Sequence, residues 1–417
     1  MTCAFLLLLA ADWPQWRGPA RDGVSPEKGL LRKWPEGGPK LLWKSKEAGA
    51  GLAGLAVVDG VAYTLGAFGG DEYALAFDPK GKRLWRTKLG PVHADKSVNA
   101  FSVGPNSTPT VAGGHVFALT SKGLLACLTT EGKLIWKKDL PKEMNGAVSN
   151  VGWGEDTKGF GSGYCWSPVA VGDKLLIAPG GPDGLLALLE ARTGKLVWRS
   201  KKVADEATYG SPAVGKVGGK EMAFYVVQSG FVAVSMEDGS LVYRHKRDED
   251  YPDVVCDTPR VAGDAVMTSV GYGGGSAERY EWDGKSFVRK WEGKKEIGSR
   301  QGGTVLVGKH LFGFHDDQQW MCQDAATGAV AWPKKREERS LKAGTIIAAD
   351  GLLFILDETG KAGLVEASAE KYVPLGEFAL PEKGKRPTSG KAWTHPSLSG
   401  GRLFLRDQQW VFCYAVK

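Results

Sequence analysis

The sequence contains no apolar stretch near the roughly 20 residues that span a bilayer, no block of five or more like charges and no long run with a helical period. The first absence removes a membrane-spanning helix as an organising element. The second matters because the net charge is +7. Lysine and arginine are scattered over a solvated surface, not gathered into the basic stripe with interleaved aromatics that nucleic acid requires. Cysteine is scarce: six residues in 417, far apart, with no CxxC and no adjacent pair. A disulfide scaffold and a structural zinc site are therefore not expected. GxSxG and HExxH are missing too. GYGGGSA at 271–277 has the glycines of a phosphate loop but neither its lysine nor a following helix, so it reads as a turn. The histidines (His93, His115, His245, His310, His315 and His395) are isolated, and no metal-ligand set is expected.

What the chain has in excess is glycine, 58 residues or about twice the usual share of roughly 7%, and tryptophan, 15 residues. Short β-branched runs separated by glycine turns give the profile of an all-β protein. The runs repeat. GKRLW ends at Trp85, GKLIW at Trp136, GKLVW at Trp198, GSLVY at Tyr243 and GAVAW at Trp332; KLLW ends at Trp43 without its glycine, and weaker copies end at Trp291 and Phe378. A second element keeps the same beat: NSTPTV at 106–111, WSPVAV at 166–171, GSPAV at 210–214 and DTPRV at 257–261. Four short strands every ~40–50 residues is the pattern of a propeller blade. The aromatic strands count eight blades, or seven if the weak copies are discounted. The last unit has only three strands, so Leu41–Trp43 is expected to supply its fourth and close the ring. DQQW, found at 317–320 and 407–410, then falls in the same turn of blades 6 and 8. It stands five residues before Cys322 but six before Cys413, which turns Trp320 and Trp410 to opposite faces.

The unit DAATGAVAW, with EARTGKLVW and LTTEGKLIW, resembles the tryptophan-docking motif of quinoprotein propellers. The resemblance runs through nearly the whole chain. DWPQWRGPARDG, QGGTVLVGKHLFG and LFLRDQQWVFCYAVK resemble exported bacterial PQQ-binding-like β-propeller repeat proteins. It implies a single eight-bladed quinoprotein-like propeller over 41–417, with an N-terminal arm over 12–40 lying outside the blades. It implies that Trp43, Trp85, Trp136, Trp198, Tyr243, Trp291, Trp332 and Phe378 each pack on the next blade. In that motif a small residue sits two before the Asp, a slot assigned here to Ala126, Ala233, Cys322 and Cys413, and the two cysteines are expected to be buried packing residues. Residues 1–11, apolar from Ala4 to Ala11, read as a signal peptide, so the protein is expected to be exported to the periplasm or beyond.

The same repeat builds non-enzymatic scaffolds similar to BamB and also quinoprotein dehydrogenases. The latter hold PQQ and Ca²⁺ at one end of the propeller axis. This chain has no adjacent cysteines for the vicinal disulfide of such enzymes and no CxxCH for haem. The expectation is a non-catalytic, monomeric binding module for an envelope protein or polysaccharide, with no cofactor; the alternative is a PQQ/Ca-dependent oxidoreductase. Two long insertions, 86–106 and 137–166, mark the loop face as the place for a ligand. They bring Asn99, Asn106, Trp153, Glu155, Asp156, Tyr164 and Trp166, and other blades bring Arg300, Gln301, His315 and His395 to the same face. No catalytic residue is assigned.

Overall fold

Two-residue turns with both residues at positive φ suit the right-handed twist of paired strands. Such turns close the first hairpin of blade after blade, as at Asp59–Gly60 (φ 51° and 76°), Gly218–Gly219 (57° and 79°) and Asp350–Gly351 (53° and 73°). Between turns the inner three strands of each blade are largely apolar on both faces, because each sheet is sandwiched between two others. The structure, a computed structural model, describes residues 11–93, 103–149, 162–251, 254–272, 276–294, 297–298, 300–301, 303–315, 319–332 and 339–417.

The strands form eight blades in a ring. Blade 1 comprises Ala56–Val58, Val61–Phe68, Asp71–Phe77 and Arg83–Pro91. Blades 2 to 5 repeat this antiparallel order over 110–139, 169–199, 213–246 and 260–294. Blade 6 has Val305–Val307, His310–His315 and Gln319–Asp324, and a bridge from Gln323 to Val330 marks its outer edge. Blade 7 covers 344–379. Blade 8 takes its inner three strands from 397–415 and its outer strand from Lys40–Ser45, with Trp43 opposite Cys413, so the ring closes as anticipated. The only helix among the described residues is Leu140–Met144, capped by Asp139, whose carboxylate accepts from Lys142 N.

The repeated aromatics link neighbouring blades. A Cβ on Gly132 would lie 2.5 Å from the Trp85 ring; Gly81 stands in the same way over Trp43, Gly194 over Trp136, Gly239 over Trp198 and Gly328 over Trp291. Each contact needs a bare backbone at positive φ. The indole N–H groups of Trp85, Trp136, Trp198 and Trp332 donate to Thr130 O, Ala191 O, Met236 O and Ser368 O of the following blade, at 2.8–3.1 Å. Tyr243 reaches blade 5 through Phe287, with ring centroids 5.5 Å apart. Phe378 lies under Gly38, which is the glycine that the KLLW copy seemed to lack; Pro39 sets it one residue further out. In six blades a register shift interrupts the pairing of the outer strand beside the aromatic, as between Leu134 and Trp136. An unpaired residue at such a bulge turns outward, and Leu42, Leu84, Ile135 and Val197 are accordingly exposed.

Asp407–Trp410 spans the second-to-third strand turn of blade 8, and Gln319 and Trp320 open the third strand of blade 6, while Asp317 and Gln318 lie outside the described residues. Cys322 pairs with Phe312 and Cys413 with Phe404, while Trp320 pairs with Phe314 and Trp410 with Asp407. Counted from the cysteines the tryptophans are one residue out of phase, so Trp320 is buried and Trp410 half-exposed. Cys322 and Cys413 are buried, as are Ala126 and Ala233. In blade 2 the residue opposite Trp136 is Cys127, because the turn from Thr129 to Lys133 is one residue tighter than those of blades 3, 4 and 6.

The arm does not lie outside the blades. Residues 12–25 insert into the channel of the ring. Asp12 accepts from Asp59 N at the first hairpin of blade 1, and Trp13 exchanges two 2.8 Å backbone bonds with Val57. On the return, Val24–Ser25 pairs in parallel with Ala348–Ala349 of blade 7, and Gly29 N reaches Asp350 in that blade's first hairpin. The segment enters and leaves on one face and turns back near the other.

Candidate functional site

The residue before a proline is held extended, and here it carries a hydroxyl that joins blades at the channel mouth. Gly54 N donates to Thr108 Oγ1 (3.0 Å), Thr108 N to Ser167 Oγ (2.9 Å), Ser167 N to Ser211 Oγ (2.9 Å) and Ser211 N to Thr258 Oγ1 (3.3 Å). This relay crosses blades 1 to 5, and the tip of the arm docks on it. Trp16 Nε1 donates to Thr258 Oγ1 at 3.1 Å, and its ring lies 4.3 Å from that of His395. Arg17 donates to Thr304 O and to Asp22 O. Arg21 spreads its fork over Gln15 Oε1, Pro168 O, Ser167 O and Pro212 O at 3.1–3.4 Å. With Pro14 O accepting from Val111 N, the arm touches all eight blades. Burial lowers the pKa of Arg17 to about 10 and of Arg21 to about 9; both remain cations at neutral pH, held by carbonyl dipoles.

Of the residues nominated from sequence, Gln301 and His395 are brought together: His395 Nε2 lies 2.8 Å from Gln301 O. A carbonyl can only accept, so Nε2 carries the hydrogen and Nδ1 is the lone-pair nitrogen. Burial, then Arg17, lowers the pKa of His395 to about 3, so the ring is neutral. Arg300 is elsewhere, its guanidinium 5.5 Å over the Tyr272 ring. His315 is buried at the end of its strand. Asn106 joins the feet of the two insertions, donating to Cys165 Sγ at 3.4 Å; burial pushes that thiol up to about 12, so it stays protonated. Tyr164 and Trp166 are fully buried in the cluster between blades 2 and 3, and Tyr164 donates to Pro179 O. Leu140, Met144 and Val148 share that cluster, so the described parts of the longer insertion are core. Asn99, Trp153, Glu155 and Asp156 lie outside the described residues.

The foot of this insertion rests on a buried carboxylate that sequence reading missed. Glu72 of blade 1 accepts from Ser121 N and Ser121 Oγ of blade 2, and Tyr164 N donates to Ser121 O. Burial pushes Glu72 up to about 7, against an ordinary value of 4.5. The folded state therefore binds this proton more tightly than the unfolded chain. The resulting stabilisation is complete below about pH 4.5 and is lost as pH rises through about 7. Glu72→Gln, neutral at every pH, should match the parent at pH 5 and exceed it by about 2 kcal/mol at pH 8. Urea midpoints at the two pH values check this, and an equal difference at both would remove the assignment.

Beside the insertion lies a cleft of about 110 Å³ lined by Ser149, Asp205, Glu206, Gln228, Ser229 and Asp250. Arg244 neutralises Asp205 through two 2.8 Å bonds, while Glu206 and Asp250 add negative charge. Burial raises the Glu206 carboxyl. The cleft suits a small polar or cationic group at the edge of a larger partner.

A family model described as outer membrane protein assembly factor BamB matches residues 70–334. No curated protein matches the sequence. Among solved structures, the chain overlays on quinohemoprotein alcohol dehydrogenase from Comamonas testosteroni with a TM-score of 0.67 at 13% identity, covering 97% of this chain and 80% of that one. It overlays on the computationally designed Ika8 protein with a TM-score of 0.60 at 11% identity, covering 90% of this chain and 100% of that one. At such identities the likeness is one of fold. Among the described residues no helix is long and apolar enough to cross a membrane.

Proposed function

We propose, for a chain that belongs to the family of the outer membrane protein assembly factor BamB, a non-catalytic role as an exported, monomeric scaffold that binds an envelope protein or polymer on its loop face. The observation that carries this reading is the occupied channel. A quinone cofactor at the propeller axis needs cations for its carboxylates and an oxygen-rich cage for Ca²⁺. Arg21 and Arg17 are held by backbone carbonyls, and Arg260 is paired with Asp257 at 2.8 Å. Among the described residues, no three or more His, Cys, Asp or Glu side chains converge as metal ligands. These residues do not fit PQQ with Ca²⁺, and no reaction step is derived through it.

The loop face is the better candidate because the cleft lies there beside the described feet of the two insertions, which join where Asn106 donates to Cys165 Sγ. Binding is assigned to residues 150–161 together with Asn99 and Asn106. A replacement starting earlier, at 141, would remove the buried Met144 and Val148 and unfold the foot of the loop. A Gly-Ser linker in place of 150–161 should leave the urea midpoint unchanged and weaken capture of envelope proteins or glycans at least about tenfold, the effect of losing roughly 1.4 kcal/mol. Unchanged affinity would move the site to another face. A stoichiometric absorbance change with PQQ and Ca²⁺, accompanied by dye reduction with an alcohol, would replace the scaffold reading with the oxidoreductase one.

A further inference from the structure

The inner strand of each blade leaves one edge open toward the channel, and open edges recruit extended chain. The arm uses them in that way. Trp13 bridges antiparallel to Val57 of blade 1, Pro14 O accepts from Val111 N of blade 2, and Val24–Ser25 runs parallel to Ala348–Ala349 of blade 7. Main-chain pairing is combined with side-chain selection. Trp13 is buried, and Trp16 donates into the hydroxyl relay. Arg17 and Arg21 place guanidinium groups among carbonyls of blades 3, 4 and 6. Each of these is a feature of peptide recognition.

The ring is closed without this segment. Lys40–Ser45 completes blade 8 by pairing with the strand that ends at Ala415. Between them the chain runs along blades 7 and 8, with Leu30 and Trp34 buried and the Lys28 and Arg32 side chains 75% and 60% exposed. The part that fills the channel is thus distinct in the chain from the part that closes the circle.

We propose that the channel is a binding site for a peptide that folds back on itself and bears tryptophan and two arginines four residues apart, and that residues 12–25 are its occupant in cis. A partner segment of the same chemistry binds there when the chain's own arm is released. The site is separate from the loop face: replacing 150–161 leaves it intact, so failure of either reading is seen without the other.

The test uses the full chain with a protease site inserted between Arg32 and Lys33 and cut in the folded state. A fluorescent peptide of residues 11–32 is followed by anisotropy and native mass spectrometry. The expected result is that the nicked ring keeps its arm non-covalently and exchanges it for the labelled peptide. A peptide with Arg17→Ala and Arg21→Ala should compete about 100-fold more weakly, since two charged donors with several acceptors each are lost. The uncut chain should take up at least about 100-fold less, because a tethered occupant acts at high effective concentration. Should cutting unfold the ring, the fragment beginning at Lys33 is refolded with each peptide, and recovery only with the arginine-bearing one supports the site. Failure of a folded nicked ring to exchange, or equal competition by or equal recovery with the arginine-free peptide, overturns it.

Discussion

A chain lacking residues 1–29 should unfold at least about 5 kcal/mol more easily than the full protein. Trp13 alone is 2% exposed, and truncation of a buried tryptophan costs roughly 3–5 kcal/mol. Removing the arginines and Trp16 leaves Ser167 O, Pro168 O, Pro212 O, Thr304 O and Thr258 Oγ1 facing a channel that water can enter. The remaining loss is therefore partly offset by hydration. Deleting residues 1–45 adds the loss of the outer strand of blade 8 and exposes the edge of Trp410–Ala415, so this variant should aggregate. Urea denaturation of the shorter deletion and sedimentation of the longer one check the ranking. A 30–417 chain within about 1 kcal/mol of the parent would mean that the arm only rests in the channel.

Trp198→Ala should cost about 3–5 kcal/mol, the range for truncating a large core side chain. The ring is 8% exposed, donates to Met236 O at 2.9 Å and covers Gly239 of the next blade. Its neighbour Val197, unpaired at the bulge and 44% exposed, should cost under about 1 kcal/mol when changed to alanine. The contrast tests the phase of the outer strand, since a strand without the bulge would carry Val197 toward the next blade. Comparable losses from the two variants would show that the register shift is misplaced.

Blade number, closure by Leu41–Trp43 and the phase difference between the two DQQW turns were legible because glycine, tryptophan and cysteine recur at fixed offsets. Gly38 escaped notice because Pro39 adds one residue to the spacing. The arm was misjudged for a different reason. DWPQWRGPARDG has no strand or helix period, and a segment paired to the edges of separate blades at only a few points leaves no period to read. Its buried arginines look like surface residues, because a guanidinium satisfied by carbonyls needs no acidic partner nearby in sequence. The approach of His395 to Gln301, 94 residues apart, likewise depends on ring closure and not on any local pattern. Tyr164 and Trp166 have the residue types of a binding surface, and only packing reveals that both are buried.

The outer strand of blade 8 pairs residues 40–45 with 411–415. The earliest part of the ring to be synthesised thus waits for the last. Until Ala415 is available, the Lys40–Ser45 strand has nothing to pair with, and closing so long a loop delays folding to the end. A chain that stops early, even by ten residues, leaves an unpaired strand at each end of an open arc, in a form prone to association. The joint between Lys40–Ser45 and Trp410–Ala415 therefore works as an inspection of the ring: only a chain translated through Ala415 can hide both edges.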